Sequence, residues 1–187
     1  MCITQKQLVD SYKKGNPHER FTLIYDNYEV FISFVECYEI GLSNQILNEK
    51  EYNRRAKNKA DLGVRVKVSK LSNPTADKGI DQEEIQRAIE QCDFSGDLLE
   101  DTDDAEKHRS DILTLRMMRR EFGVFNSFLK ALPKNEYKNT YRFIQKEIKL
   151  MDIANEENKT YQTVKNQMRN TKKTLEGSMI PFFRESI

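Results

Sequence analysis

"MDIANEENKTYQTVKNQMRNTKKTL", residues 151–175, decides how the C-terminal part of the chain folds. Apolar residues are spaced for a short helix as far as Ala154, and the polar run "NEENK" then interrupts the pattern before it resumes at Val164. Asn158 tolerates the positive φ of a tight turn, and Thr160 can cap the helix that follows it. The stretch therefore predicts two short helices joined by a turn, and not one surface helix.

The second of these helices carries side chains suited to a DNA groove. A small residue at Ala154 would let the two helices cross closely, with Ile153 and Val164 in contact between them. Arginine and lysine suit guanine acceptors and phosphates, glutamine and asparagine suit adenine, and a helix N-terminus can meet a phosphate. We expect four residues to reach bases: Tyr161, Gln162, Asn166 and Arg169. We expect four more to contact phosphates, namely Lys159, Lys165, Lys172 and Lys173, with Thr160 and Thr163 completing the DNA-binding set.

Two further helices precede this pair. The pattern predicts one over residues 112–132, stopped by Pro133, because proline cannot continue the backbone hydrogen-bond ladder. The next, within 135–148, has apolar and aromatic residues at helical spacing. The C-terminal part is thus expected to be a four-helix domain containing a helix-turn-helix.

The stretch "LPKNEYKNTYRFIQKEIKLMDIANEENKTYQTVKNQMRNTKKTL", residues 132–175, resembles region four of the sigma-70 family. That region runs Leu-Pro, a helix, Ile-Ala, a turn, Ser or Thr, and Thr-Val-Lys in a basic helix. The matching positions are Leu132, Pro133, Ile153, Ala154, Thr160, Thr163, Val164 and Lys165. The chain departs from the pattern at Asp152, usually Glu, at Glu157, usually apolar, and at Asn158, usually Gly. The resemblance implies that residues 160–173 form the recognition helix.

Two groups of proteins share this C-terminal pattern. The phage-type regulators of late genes, similar to the ArpU-type activators, place a region-four-like domain after a variable helical N-terminus. The short sigma factors instead use their N-terminal half to bind RNA polymerase core and melt the promoter. The expected acidic polymerase-binding motif is not found here, and the chain has no tryptophan for melting. The phage-type activator is therefore favoured, with the short sigma factor as the alternative and a helical partner-binding protein as the third reading.

The N-terminal part also reads as helical. Thr4 can cap a short helix that ends before Gly15, a long amphipathic helix then runs to Gly41, and Ser43 can cap another. A basic segment at 63–80 is expected to be irregular, followed by a helix over about 81–91. The expected organisation is all-α: residues 1–92 form a helical region, 93–110 an acidic linker, and 111–187 the DNA-binding domain.

Charge is distributed unevenly along the chain. Residues 97–111 carry seven acidic side chains against two basic ones, whereas residues 112–176 carry fourteen Lys and Arg against seven Asp and Glu. Nucleic-acid partners exploit such asymmetry, although taken alone it is more typical of a solvated helix surface. We expect the partner to be double-stranded DNA, bound with help from a second copy of the chain or from RNA polymerase.

Composition excludes other classes. No apolar run approaches the roughly 20 residues that span a bilayer, and the first residues lack the apolar core of a secretory signal, so a cytoplasmic protein without a membrane partner is expected. The cysteines, Cys2, Cys37 and Cys92, fit reduced thiols. We expect no enzyme, cofactor or metal site, because there is no Gly-rich phosphate loop and because His18 and His108 are interpreted as surface residues.

Overall fold

The computed structural model describes residues 4–60, 74–91 and 99–183. Within these ranges the chain forms α-helices, a short 3-10 helix and no strand, which confirms the all-α prediction. The helices are α1 (Gln5–Lys14), α2 (Pro17–Asp26), α3 (Tyr28–Ala60), α4 (Pro74–Gln91), α5 (Ala105–Lys130), α6 (Lys134–Ile144), α7 (Leu150–Glu156), α8 (Tyr161–Met179) and the 3-10 helix Ile180–Phe182. None of the described helices is long and apolar enough to cross a bilayer.

The chain divides into two compact units that do not follow the order of the sequence. The first contains Met1–Val35 together with Met117–Ile187, and the second contains Glu36–Arg116. This grouping does not coincide with the expected boundary at 93–110. Whether the chain separates there into independent domains stays a prediction.

The prediction of one helix from about residue 18 to Gly41 is correct at its start but wrong in its interior and at its C-terminal end. Asn27 separates α2 from α3, with its backbone N–H and its side-chain amide both bonded to the carbonyl oxygen of Leu23. At the other end α3 continues through Gly41 and Ser43 to Ala60. Gly41 is solvent-exposed, and a single exposed glycine costs a long helix only about 1 kcal/mol, which is too little to end it.

The segment 63–80, predicted to be irregular, is only partly described. Its residues 63–73 lie outside the described ranges, and α4 begins at Pro74, so residues 74–80 are helical. Proline is well suited to a first helical turn because its missing N–H would be unpaired there in any case. The helix predicted from about 81 therefore begins seven residues earlier.

The core of the first unit is built largely from aromatic residues. The helical spacing of apolar residues predicts burial of Phe21, Tyr28, Phe31 and Phe125, and all four are buried. α1 is capped by Thr4 in a capping box with Gln7, and it buries Leu8, Val9 and Tyr12. Phe31 and Phe122 stack with ring centroids 5.4 Å apart. Further aromatic contacts join α2 and α3 to α5 through Phe21, Tyr28 and Phe125.

A buried charged cluster lies inside this aromatic core. The Arg20 guanidinium donates from Nε to Glu121 Oε2 at 3.0 Å and from Nη2 to Oε1 at 3.1 Å, and both side chains are fully buried. The Tyr12 hydroxyl donates to the same carboxylate at 2.6 Å, and Arg20 Nη1 donates to the Gly15 carbonyl oxygen. Burial, followed by the charge of Glu121, raises the pKa of Tyr12 well above its ordinary value. The cluster ties α1 and α2 to α5 across about one hundred residues of sequence.

In the second unit, the acidic stretch before α5 contacts α3. Asn53 Nδ2 donates to the Asp101 carbonyl oxygen and to Asp103 Oδ1, both at 2.9 Å. Asp101 also accepts from Lys57 and lies 3.7 Å from Arg54 Nε. Of the predicted linker 93–110, the part from residue 99 is thus a turn held against α3 and then the start of α5, while 93–98 lies outside the described residues. Two side chains of the basic stretch 54–70 are engaged by this turn.

The prediction that His108 is a surface residue is wrong. Its side chain is 1% exposed and its Nε2 lies 2.7 Å from Glu49 Oε2, which also accepts from the backbone N–H of Asp103. Burial raises the pKa of Glu49, but the hydrogen bonds from His108, Gln45 and Asp103 together bring it below its ordinary value. Because Glu49 is 59 residues away in sequence, local pattern could not reveal this partner. His18, in contrast, is exposed as expected.

Candidate nucleic-acid interface

The helix before the helix-turn-helix ends earlier than the sequence pattern indicated. α6 follows Pro133 and stops at Ile144, and Lys146 has a φ of 57°. Ile148, predicted to lie in this helix, instead lies in the connection to α7. At the start of α7, the Asp152 carboxylate accepts from the backbone N–H of Lys149 at 2.8 Å, so Asp152 helps to cap the helix.

The turn between α7 and α8 has the predicted geometry. Asn158 adopts a φ of 50°. The Lys159 N–H donates to the Ala154 carbonyl oxygen at 2.9 Å, and the Asn158 N–H donates to that of Asn155 at 3.4 Å, which is the Schellman arrangement that ends a helix. Thr160 is the N-cap of α8, and its Oγ1 accepts from the Thr163 N–H at 3.2 Å. The prediction of two helices with a turn at Asn158 and a cap at Thr160 is confirmed.

A small apolar core holds the two helices together. Ile153 and Ala154 of α7 are buried with Val164 and Met168 of α8. Three partly buried residues, Phe143, Ile148 and Leu150, pack against this cluster. The predicted packing of Ile153 with Val164 between the helices is confirmed, and Ala154 is buried in the same cluster.

Polar side chains tie the turn to α6. Arg142 donates to both carboxylate oxygens of Glu156, at 2.7 and 3.0 Å. Glu157 accepts from Asn139 Nδ2 at 2.6 Å and from Lys159 Nζ at 2.8 Å. The hydrogen bond from Lys159, followed by that from Asn139, lowers the pKa of Glu157. The Glu157 carboxylate therefore helps to fix the turn through its hydrogen bonds.

One stripe of α8 lies opposite its buried face. Successive helical residues are rotated by about 100°, so the positions i, i+4, i+7 and i+11 from Gln162 share a side of the helix. These positions are Gln162, Asn166, Arg169 and Lys173, and all four are exposed. We call them the outer stripe. Gln162 Nε2 donates to Asn166 Oδ1 at 3.2 Å, and no described residue forms an ion pair with Arg169 or Lys173.

The other predicted DNA-binding residues lie beside the outer stripe or are engaged elsewhere. Lys165 is exposed on one flank, and so is Tyr161, which is 43% exposed and lines an open apolar cavity of about 680 Å³. Thr160 and Thr163 face each other with their hydroxyl oxygens 2.8 Å apart, as part of the cap. Lys159 is bonded to Glu157. Seven of the ten predicted residues are thus exposed on α8, namely Tyr161, Gln162, Thr163, Lys165, Asn166, Arg169 and Lys173.

Lys172 is held by the N-terminal part of the chain. Its Nζ lies 4.4 Å from the centre of the Tyr25 ring and 3.3 Å from Asp26 Oδ1, and its side chain is 32% exposed. Sequence reasoning placed this lysine among the phosphate contacts and gave no reason to connect it with α2. It also missed Asn170, which is exposed four residues after Asn166 and could have been found from that spacing.

Comparison of the chain with protein-family models, with curated proteins and with solved structures returned no match.

Proposed function

We propose that the protein is a sequence-specific DNA-binding transcription regulator that docks the outer stripe of α8 in a major groove. The observation that carries this proposal is the pairing of an exposed outer stripe with a rigid support. The side chains that could read bases are solvent-exposed, while the helix that bears them is fixed by an apolar core, a Schellman turn and an N-cap. A recognition helix needs this combination because base contacts demand a fixed backbone and available side chains.

The charges of α8 support DNA over a helical protein partner. Lys165, Arg169 and Lys173 are exposed, and none of them forms an ion pair with any residue of the described ranges. A partner-binding helix would instead be expected to present an apolar stripe, whereas the outer stripe contains two amides and two cations. Amides pair well with adenine and guanidinium pairs well with guanine.

The roles within the outer stripe are separable by mutation. Arg169→Ala should relax sequence preference, because a bidentate contact to one guanine contributes about 1–3 kcal/mol of discrimination. Lys173→Ala should weaken binding to all duplexes similarly and reduce the salt slope by about one. Lys130→Ala, at an exposed lysine that ends α5, is the matched control and should change neither quantity. Equal behaviour of the Arg169 and Lys173 variants would contradict the assigned roles.

The test of the function itself is selection of bound duplexes from a random pool, with the protein alone and with RNA polymerase core. An enriched motif with the protein alone supports a self-sufficient regulator of the phage type, and a palindromic motif adds that it binds as a dimer. Enrichment only with core supports the short sigma factor. A single helix-turn-helix has a small footprint, so help from a second copy or from polymerase is expected. No enrichment in either arm would overturn DNA recognition and leave the partner-binding alternative.

A further inference from the structure

Lys172 is the one cation of the predicted DNA-binding set that the N-terminal helices engage. We propose that Tyr25 and Asp26 hold Lys172 back from phosphate, so that α2 competes with DNA for a cation of the recognition helix. We call these three residues the Lys172 latch. The proposal rests on the proposed function, because it concerns the affinity of that same surface for DNA.

The geometry of the latch supports competition. Lys172 lies on a flank of α8. Viewed along the helix axis, its position falls between that of Lys173 in the outer stripe and that of Leu175 on the buried face. From this flank its long side chain could reach outward to a phosphate or inward to α2. In the structure it points inward, with Nζ over the face of the Tyr25 ring at 4.4 Å and 3.3 Å from Asp26 Oδ1.

The partner residues of the latch are well fixed. Tyr25 is 7% exposed and packs on Phe21 and Phe125, so the ring is held in place by the core. A second contact between the same helices joins His18 Nδ1 and Glu176 Oε1 at 3.0 Å. The ammonium of Lys172 is thus offered a preformed aromatic face and a carboxylate, which compete directly with a phosphate for the same charge.

The expected change in DNA affinity is small because the Lys172 and Asp26 side chains are both partly exposed to solvent. Breaking a surface ion pair of this kind changes an equilibrium constant by a factor of about two to five. Asp26→Asn should therefore tighten binding to DNA by that factor. Because the gain comes from a phosphate contact, it should appear with any duplex and need no particular sequence.

The experiment measures affinity for a mixed-sequence DNA duplex at low salt, using the full chain. Glu29→Gln is the matched control, since Glu29 is also an exposed acid paired with a lysine, Lys146 at 3.2 Å, and its loss changes net charge equally. Lys172→Met retains packing on Tyr25 and removes the charge. The latch predicts that Asp26→Asn binds about two- to fivefold more tightly than Glu29→Gln, and that this gain vanishes in the Lys172→Met background.

A second readout follows the latch directly. The ε-methylene protons of Lys172 should show an upfield ring-current shift from Tyr25 in the free protein, which should diminish when the duplex is added. Equal affinities of Asp26→Asn and Glu29→Gln, or a gain that persists without Lys172, would overturn the latch alone. A wild-type protein that binds no duplex would overturn the latch together with the proposed function.

Discussion

Replacing Glu121 by alanine should strongly destabilise the first unit. The change leaves the fully buried guanidinium of Arg20 without its counter-charge, removing two charge-assisted hydrogen bonds and the one that Tyr12 donates. Removing one partner of a buried ion pair costs about 3–5 kcal/mol. We expect the free energy of unfolding to fall by that amount, because the buried guanidinium of Arg20 keeps its bond to the Gly15 carbonyl oxygen but loses the carboxylate that balances its charge.

Urea denaturation of the full chain measures this loss. Glu156→Ala is the matched control, since it removes a carboxylate that also receives two hydrogen bonds from one arginine but is exposed, so its effect should be much smaller. Joint replacement of Arg20 by methionine, Glu121 by leucine and Tyr12 by phenylalanine should recover most of the lost stability, because it leaves neither an unpaired buried charge nor the Tyr12 hydroxyl without its acceptor. A Glu121→Ala variant no less stable than Glu156→Ala would refute the reasoning.

Three further predictions concern the helix-turn-helix and its neighbours. Val164→Ala should lower the free energy of unfolding by about 2 kcal/mol and also weaken DNA binding. Lys165→Ala should weaken DNA binding without loss of stability. Denaturation curves measure the stability of each variant, and binding curves measure its affinity for DNA. Because Lys159 holds the pKa of Glu157 below its ordinary 4.5, the pair stabilises the fold above that pH and this stabilisation is lost as the pH falls through the lowered pKa. Wild type should thus exceed Glu157→Gln in stability near neutral pH, and the difference should shrink as the pH falls through the lowered pKa of Glu157; a difference that is constant with pH would oppose the assignment. Burial, followed by the charge of the adjacent aspartate, raises the pKa of Tyr25 from 10.0 to about 12. The protonated Tyr25 therefore contributes its full stabilisation to the fold below pH 10, and this stabilisation is lost as the pH rises toward 12. Tyr12 and Tyr28 also have raised pKa values, so absorbance titration should show several late-ionising tyrosines, and Tyr25→Phe should reduce their number by one.

The helix-turn-helix was predictable because its determinants are local. A positive φ at Asn158 and a cap at Thr160 depend on residues within one turn, and the apolar spacing of Ile153 and Val164 fixes which faces meet. The end of α6 was missed because the left-handed residue there is Lys146, and lysine gives no indication of such a conformation.

The N-terminal helices were harder to delimit. The buried aromatic residues were found from their spacing, but the same periodicity runs across the break at Asn27 and gives no sign of it. Gly41 was taken as a helix end because glycine commonly follows a helix, although at an exposed position inside α3 its cost is small.

The long-range contacts were beyond local sequence reasoning. Arg20 and Glu121 are 101 residues apart, and Asp26 and Lys172 are 146 residues apart. The sequence pattern around each of these residues does not indicate which distant residue it contacts. The flank position of Lys172 therefore could be predicted, but its engagement by α2 could not.

Contact between the outer stripe of α8 and DNA can be tested by amide chemical-shift mapping of the full chain. The duplex would be the one enriched by selection, and the reference would be the free protein in the same buffer. If α8 is the recognition helix, the largest shifts should fall on residues 160–173, and Arg169→Ala should abolish the shifts that are specific to the enriched duplex. Shifts concentrated in the second unit, with α8 unchanged, would contradict it.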